Sequence, residues 1–303
     1  MNKPTLVVAL GGNALLKRGE PLEAETQRHN IELAAATLAK LTQDWRVVLV
    51  HGNGPQIGLL ALQNGAYHDV SPYPLDVLGA ETQGMIGYLL QQALKNKLPE
   101  TEVSVLLTQV EVSADDPAFS HPTKYIGPIY TQQEALALAT EKGWQIKPDG
   151  KQFRRVVPSP QPLRIIESDA INALIERQHL VICNGGGGIP VICNAQGDLR
   201  GVEAVIDKDL SAALLAQQLD ADALLILTDA DAVYLNWGQP SQHALHHVSP
   251  SDLDGMSFDA GSMGPKIQAA CRFVEFNLGM AGIGALQDGV DILEGIKGTL
   301  IRA

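Results

Sequence analysis

The stretch LVVALGGNALL at residues 6–16 carries an apolar run straight into two glycines and an asparagine. The same arrangement returns in VVLVHGNGPQIG at residues 47–58 and in LVICNGGGGIP at residues 180–190. Glycine lets backbone N–H groups approach a ligand without an intervening Cβ atom, and a helix that follows adds the positive end of its dipole. Three such turns in one chain predict a crevice for phosphate or another small anion.

The apolar runs are short and rich in Val, Ile and Leu, as buried parallel strands are, and amphipathic helical patterns separate them. This alternation predicts an α/β fold with a doubly wound, mainly parallel sheet. By contrast, Gly279, Gly282 and Gly284 predict that the run from residue 280 is weak as a strand. The predicted strands are 6–10, 47–50, 103–107, 180–183 and 224–227, and the predicted helices are 30–41, 80–94, 132–142, 210–219 and 267–276.

Residues 113–162 break the rhythm with seven prolines and a cluster of charges. Long irregular stretches inside α/β domains are often functional, so we interpret this one as an inserted lid subdomain. The alternative is a plain surface excursion.

Composition narrows the choice of partners. The 303 residues are 45% hydrophobic and 18% charged, with a net charge of −12. That balance argues against a nucleic-acid surface, which needs dense Lys and Arg, and no stretch approaches the ~20 apolar residues of a membrane span. The three cysteines form no CxxC motif, so we predict buried structural thiols in a soluble cytoplasmic protein.

Neither the P-loop motif GxxxxGK[ST] nor the protein-kinase signatures occur, so lysines outside such motifs must meet any bound phosphate. Lys208 stands between two aspartates just before a predicted helix, and Lys266 follows the turn GSMGP at another helix start. A lysine there adds its charge to the helix dipole, and Asp209 could hold Lys208 in one rotamer. Taken singly, each would more commonly be a solvated surface lysine.

Other polar residues have plainer interpretations. Asp229 and Asp231 follow a strand, where loop capping or a nucleotide contact is favoured over a metal pair. The histidines at 243–247 fit a surface loop, and His51 is expected to pack beneath its glycine turn rather than act as a base.

Together these motifs resemble the carbamate kinases, in order and from residue 6 to about 276. That resemblance implies an αβα sandwich around a mainly parallel sheet, the amino-acid-kinase fold, with a protruding lid subdomain. It implies one domain over 1–303, with a carbamate lobe at about 1–203, the lid at about 113–162 and a nucleotide lobe at about 204–303. The matching segments are ALGGNAL (9–15), HGNGPQ (51–56), GGGGIPVI (185–192), EAVIDKDL (203–210) and GSMGPK (261–266).

The resemblance also implies the reaction ATP + carbamate ⇌ ADP + carbamoyl phosphate, with Mg²⁺ on the nucleotide, no protein metal site, and usually a homodimer. Catabolic members run toward ATP, with carbamoyl phosphate from arginine, purine or allantoin breakdown. Lys208 and Lys266 would neutralise transition-state charge, Asp209 would organise them, and Lys124 would reach over from the lid. The implied phosphate and carbamate contacts are Gly11, Gly12, Asn13, Gly52, Asn53, Gly186 and Gly187, and the implied nucleotide contacts are Asp229, Val233, Tyr234 and Met263.

Some positions depart from the family pattern, among them Tyr125 where proline often follows the lid lysine, and Asn184 before the glycine run. Two alternatives therefore stay open. One is a related kinase for another acid, such as acetylglutamate or UMP; the other is a non-catalytic ligand-binding protein that kept the fold.

Overall fold

The computed structural model describes residues 3–17, 19–259 and 262–303. The side chain of Asn13, assigned above to the phosphate site, lies outside what it describes. In chain order, strands β1 to β17 are Thr5–Leu10, Arg46–His51, Val103–Val105, Gln109–Val112, Lys124–Tyr130, Gln145–Asp149, Gln152–Val157, Pro162–Ile165, Leu180–Ile182, Ile189–Cys193, Leu199–Gly201, Ala223–Thr228, Val233–Leu235, His243–Leu245, His247–Val248, Met280–Ala285 and Thr299–Arg302. Helices α1 to α10 are Gly12–Leu15, Ala24–Leu41, Gly54–Asn64, Leu75–Lys97, Gln132–Lys142, Ser168–Glu176, Lys208–Gln218, Pro250–Leu253, Met263–Asn277 and Gly289–Leu293.

An eight-stranded sheet with the order β15-β17-β16-β12-β1-β2-β9-β3 forms the centre of the molecule. Its pairings are parallel except between β16 and β17. Alternate residues of β1 enter opposite cores: Val7 and Ala9 pack on the side of α7 and α9, and Leu6 and Val8 pack on the side of α2 and α4. Helices therefore cover both faces, and the predicted αβα sandwich around a mainly parallel sheet is confirmed.

The expectation of a weak strand after residue 280 is wrong, because β16 lies buried between β12 and β17 and pairs with both. Its glycines serve the packing of α10. A Cβ atom on Gly282 would lie 2.6 Å from Cγ2 of Ile292, and one on Gly284 would lie 2.7 Å from Cδ1 of the same side chain. Glycine has a low strand propensity, but at these two positions it leaves the space that the buried side chain of Ile292 occupies.

Within residues 113–162, strands β5, β7 and β6 form a separate three-stranded sheet that carries α5. From here on, the lid means residues 124–157, the part of the predicted lid segment 113–162 that forms this sheet and helix. It meets the body where β5 crosses α3, and a Cβ atom on Gly58 would overlap Cα of Gly127. Strands β4 and β8, which flank this segment, pair with each other in a four-stranded sheet with β10 and β11. The division into lobes at residue 203 stays a prediction.

All three cysteines are free. Cys183 is buried, as expected, but the expectation is wrong for Cys193 and Cys271, which are only half-buried. Cys193 is the last residue of β10 and precedes an exposed turn, and Cys271 lies on α9. Among the described residues, none of the helices combines the length and apolar character needed to cross a membrane.

Candidate active site

The three glycine turns come together at one edge of the central sheet. Strands β1, β2 and β9 are neighbours there, and parallel strands end at the same edge. A Cβ atom on Gly52 would lie 3.2 Å from the backbone nitrogen of Gly12, so the first two turns are in contact. Together with Gly186 of the third turn they line a cleft of about 190 Å³.

The third turn needs glycine for two reasons. Gly186 and Gly187 have φ values of +69° and +94°, which disfavour residues with a Cβ atom. A Cβ atom on Gly186 would also overlap Nδ2 of Asn53, and one on Gly187 would overlap the carbonyl oxygen of Ile206. The turn therefore packs its backbone directly against the second turn and against the segment leading to α7.

Gly11 and Gly12 play different parts. The N–H of Gly11 donates to the carbonyl of Leu227 at 2.9 Å, so it ties the first turn to β12 rather than pointing at the cleft. Gly12 lines the cleft and opens α1, whose first-turn N–H groups have no partner within the helix. Gly12 therefore fits the predicted phosphate contact, whereas Gly11 supports the turn.

Beneath the second turn, Asn53 and His51 are buried. Asn53 donates from Nδ2 to Oγ1 of Thr82 at 2.9 Å, which fixes its side chain beside Gly186. Burial lowers the pKa of His51 to about 4, and its Nδ1 lies 3.0 Å from the carbonyl of Gly52. The imidazole is therefore neutral near pH 7, and the prediction that it packs under the turn is confirmed.

Lys208 and Lys266 share one carboxylate. Lys208 donates from Nζ to Oδ1 of Asp209, and Lys266 donates from Nζ to Oδ2 at 3.2 Å. Asp209 is only 2% exposed, so both of its oxygens are committed to these two lysines. We predicted that Asp209 would orient the two lysines. In the structure its carboxylate accepts a hydrogen bond from each of them.

Burial and charge oppose each other at these two lysines. Burial lowers the pKa of Lys208 below its usual value, although Asp209 offsets part of the effect. Burial also acts to lower the pKa of Lys266, but the carboxylates of Asp209 and Asp207 outweigh it and the pKa is raised. Asp209 therefore favours the ammonium form of both side chains.

Asp207 is a site residue that sequence reasoning missed. Lys124 donates from Nζ to Oδ2 of Asp207 at 2.5 Å, while Oδ1 accepts from the N–H groups of Asp209 and Leu210 and caps α7. Burial acts to raise the pKa of Asp207, but Lys124, Lys208 and Lys266 together hold it well below the usual range. Aspartate before a helix predicts a cap; the ion pair spans 83 residues and has no local signal.

We call Lys124, Lys208 and Lys266 the lysine cluster. Its three ammonium groups surround the two carboxylates of Asp207 and Asp209, which leaves one excess positive charge (3 − 2) at the edge of the cleft. In a chain with a net charge of −12, this is a local field suited to phosphate.

The residues predicted to contact nucleotide divide in two. Tyr234 donates its hydroxyl to Asp231 at 3.0 Å and packs edge-on against Trp237, which is well exposed and was not predicted. Val233, by contrast, is fully buried and gives its N–H to Oγ1 of Thr299, so its side chain belongs to the core. Asp229 follows β12 and accepts from Oγ1 of Thr228, and half-buried Met263 opens α9 one turn before Lys266.

The family model described as "Amino acid kinase family" matches residues 4–277. The chain belongs to the amino acid kinase family. Carbamate kinases from Haemophilus influenzae and Escherichia coli K12 are 54% and 55% identical to it over 98% of the chain, covering 96% and 99% of those proteins. The structure of carbamate kinase from Giardia lamblia bound to AMP-PNP is 42% identical, with a TM-score of 0.89 over 99% of this chain and 98% of that one.

These matches confirm the resemblance to carbamate kinases drawn from the motifs. N-acetylglutamate synthase from Neisseria gonorrhoeae, at 16% identity and a TM-score of 0.56, shares the fold alone, and this chain covers 61% of it.

Proposed function

We propose that the protein is a carbamate kinase, which transfers a phosphoryl group reversibly between ATP and carbamate. The observation that carries the proposal is the lysine cluster, held by Asp207 and Asp209 at a cleft lined by backbone of all three glycine turns. Phosphoryl transfer asks a protein mainly for positioning and for positive charge around the transferred group.

Each residue type has a role that follows from its position. Lys208 and Lys266 face the oxygens of the transferred group, and Asp209 fixes the separation of the two ammonium groups. Gly12 and Gly186 present backbone at the cleft without a Cβ atom in the way, and Asn53 supports the second turn. The nucleotide approaches along Asp229, Tyr234 and Met263. No general base is required, because the carbamate oxygen is already charged.

The size of the cleft favours carbamate over larger acids. At about 190 Å³ it is smaller than the ~300–1,000 Å³ usual for ligand sites, so it suits a planar acceptor of a few atoms beside a phosphoryl group. Acetylglutamate and UMP need more space. A non-catalytic binder is disfavoured as well, because Lys124, Lys208, Asp209 and Lys266 are present and three of them form one connected ion-pair network.

Magnesium fits as a companion of the nucleotide. Within the described residues no three His, Cys, Asp or Glu side chains group as a metal site, and the carboxylates nearest the cleft are paired with lysines. The ion is therefore held mainly by phosphate oxygens, as Mg²⁺ in phosphoryl-transfer sites often is. When bound, it neutralises phosphate charge.

We further propose a cytoplasmic homodimer that runs toward ATP in the breakdown of arginine, purines or allantoin. Three free cysteines support a reducing compartment. Leu33 on α2 and Tyr88 on α4 expose large apolar surface on adjacent helices, which supports burial against a second copy.

The deciding experiment measures ATP formed from ADP, Mg²⁺ and carbamoyl phosphate. Lys266→Ala removes a predicted transition-state donor and should lower kcat ~10²-fold or more. Lys297→Ala, which removes an exposed lysine paired with Asp288, is the matched control and should keep native turnover. A folded native protein that binds ADP but makes no ATP would contradict the proposal, and acetylglutamate with ATP would then test the other acceptor.

A further inference from the structure

A second and larger cavity lies between the lid and the body. Its volume is about 870 Å³, within the range of small-molecule sites. The body contributes the end of α3, the segment 72–75 and Glu203; the lid contributes the end of α5 and residues 155–157 of β7. We call it the lid cavity. Among the described residues, none lines both this cavity and the active-site cleft.

Arg155 places a cation in the wall of this cavity that has no close carboxylate partner among the described residues. Its side chain is only 14% exposed, and its Cζ lies 4.3 Å from the ring centroid of Trp144. The nearest carboxylate oxygen, Oε1 of Glu203, is 3.7 Å from Nη2 and too far for a hydrogen bond. The other oxygen of Glu203 accepts from the N–H of Leu75 at 2.7 Å, so this carboxylate is held at the start of α4.

A guanidinium has five N–H donors, and none of those of Arg155 has an acceptor within hydrogen-bond distance in the described part of the chain. Burial lowers the pKa of Arg155, and Glu203 offsets only part of that effect. The guanidinium nitrogens of Arg155 are not fully buried and reach the solvent of the cavity, so a ligand carboxylate would replace water there with charge-assisted hydrogen bonds. The planar donor fork matches a carboxylate, which can accept two parallel hydrogen bonds.

The rest of the wall suits a planar apolar group. Trp144, Tyr73 and Phe119 line the cavity from three separate segments. Lys142 is also present, but it is paired with Glu141 at 3.2 Å, so Arg155 is the cation best placed to meet an anion. Aromatic rings stack on planar partners, and Cζ of Arg155 already lies over the ring of Trp144.

Strand register connects the cavity to the active site. Val157 lines the cavity and is the cross-strand partner of Lys124; Arg155 is likewise the partner of Ile126. Lys124 in turn forms the ion pair with Asp207 at the cleft. A ligand that contacts both walls of the lid cavity stabilises the arrangement in which Lys124 lies at the cleft, because binding favours the conformation that it fits.

We propose that the lid cavity binds a small carboxylic acid that carries a planar ring, and that occupancy strengthens carbamoyl phosphate binding through Lys124. Benzoate is the probe, and benzamide is its uncharged match in shape. Calorimetry on the full chain should show benzoate binding, with benzamide about tenfold weaker or worse because it cannot pair with the guanidinium charge.

Arg155→Gln should weaken benzoate binding about tenfold or more, whereas Lys147→Gln should leave it unchanged. Lys147 is exposed on β6 of the same small sheet and lines no part of the cavity, so it controls for loss of a lid charge. Ala61→Leu adds a larger side chain at another lining position while Arg155 itself is kept, and it should also block binding. The unfolding temperature of each variant checks that it is folded.

The binding measurement needs no turnover, so it stands apart from the proposed reaction. No benzoate binding to the native chain, or equal binding by native protein and Arg155→Gln, would overturn the site. Saturating benzoate should lower KM for carbamoyl phosphate and leave KM for ADP unchanged. Binding without that change in KM would overturn the coupling through Lys124.

Discussion

Lys124 and Asp207 join the lid to the start of α7 through an ion pair of 2.5 Å, and the same carboxylate caps that helix with its other oxygen. One side chain therefore sets both the lid position and the N-terminus beside Lys208. An acceptor anion entering the cleft meets Lys124 already held at its rim.

Replacing Asp207 with Asn separates these two tasks. Asparagine is a good helix cap but carries no charge, so α7 keeps its cap while the lid loses its ion pair. We expect KM for carbamoyl phosphate to rise several-fold and KM for ADP to change little. Steady-state kinetics with each substrate varied in turn would show this, and a change confined to ADP would contradict it.

Asp207→Asn should also change how the free energy of unfolding depends on pH. The folded-state pKa of Asp207 is held below its unfolded value, so its contribution is present above that value, about 4, and is lost as pH falls toward the folded pKa. The gap in unfolding free energy between native protein and Asp207→Asn should be largest near neutral pH and shrink below about pH 4. Urea unfolding at several pH values measures it; a gap that widens in acid would rule the linkage out.

Asp209→Asn should move the alkaline limb of the rate profile. Asp209 raises the pKa of Lys208 against the lowering effect of burial, so its loss lets Lys208 lose its proton at lower pH. We expect kcat to fall and the remaining activity to decline at a lower pH than in the native enzyme. Asp198→Asn on the exposed turn after β10 is the control and should reproduce the native profile.

Gly186→Ala tests the packing of the third turn on the second. Its added methyl group would overlap the Asn53 amide, in addition to the strain of a positive φ. Gly197→Ala meets the same kind of strain at φ +89°, but no atom in the described part of the chain lies within 4 Å of the new methyl group. Both should lower the unfolding temperature, but only Gly186→Ala should also lower kcat sharply. Equal losses of activity would mean that contact with Asn53 does not matter.

Gly282→Ala should destabilise the fold, because its methyl group would lie 2.6 Å from Ile292 in a well-packed core, and such overpacking costs about 1–3 kcal/mol. Gly84→Ala is the opposite case. Gly84 lies exposed inside α4, and no atom of the described residues lies within 4 Å of the added Cβ atom, so the substitution should stabilise the protein by roughly 0.5–1 kcal/mol. Chemical unfolding of both variants would reveal the opposite signs.

Local patterns predicted those parts of the fold whose causes are local. Helix α5 has the predicted bounds because Thr131 and Glu134 form a capping box and Gly143 ends the helix in the left-handed region. The predicted start of α4, at residue 80, is five residues later than the observed start at Leu75. The first N–H of the helix, that of Leu75, donates to Glu203, which lies 128 residues away in sequence.

The same division holds for the site. Glycine turns after apolar strands indicated where the cleft lies, and the DKD run indicated that Lys208 would be held by a neighbouring aspartate. The ion pair of Asp207 with Lys124 and the position of the Arg155 guanidinium beside Glu203 depend on segments that meet only in the folded chain. The residues next to them in sequence therefore give no sign of these contacts. The role of Gly282 likewise depends on Ile292, a neighbour in space rather than along β16.

The contact between Gly58 and Gly127 has a mechanical consequence. Backbone meets backbone there, and α3 and β5 approach more closely than they could if either residue carried a side chain. Next to this contact, Ile126 and Val157 of the lid pack with Ile57 of α3 in one buried apolar cluster. The base of the lid is therefore anchored to the body beside Lys124, and the position of that lysine at the cleft depends on two glycines as well as on its ion pair with Asp207.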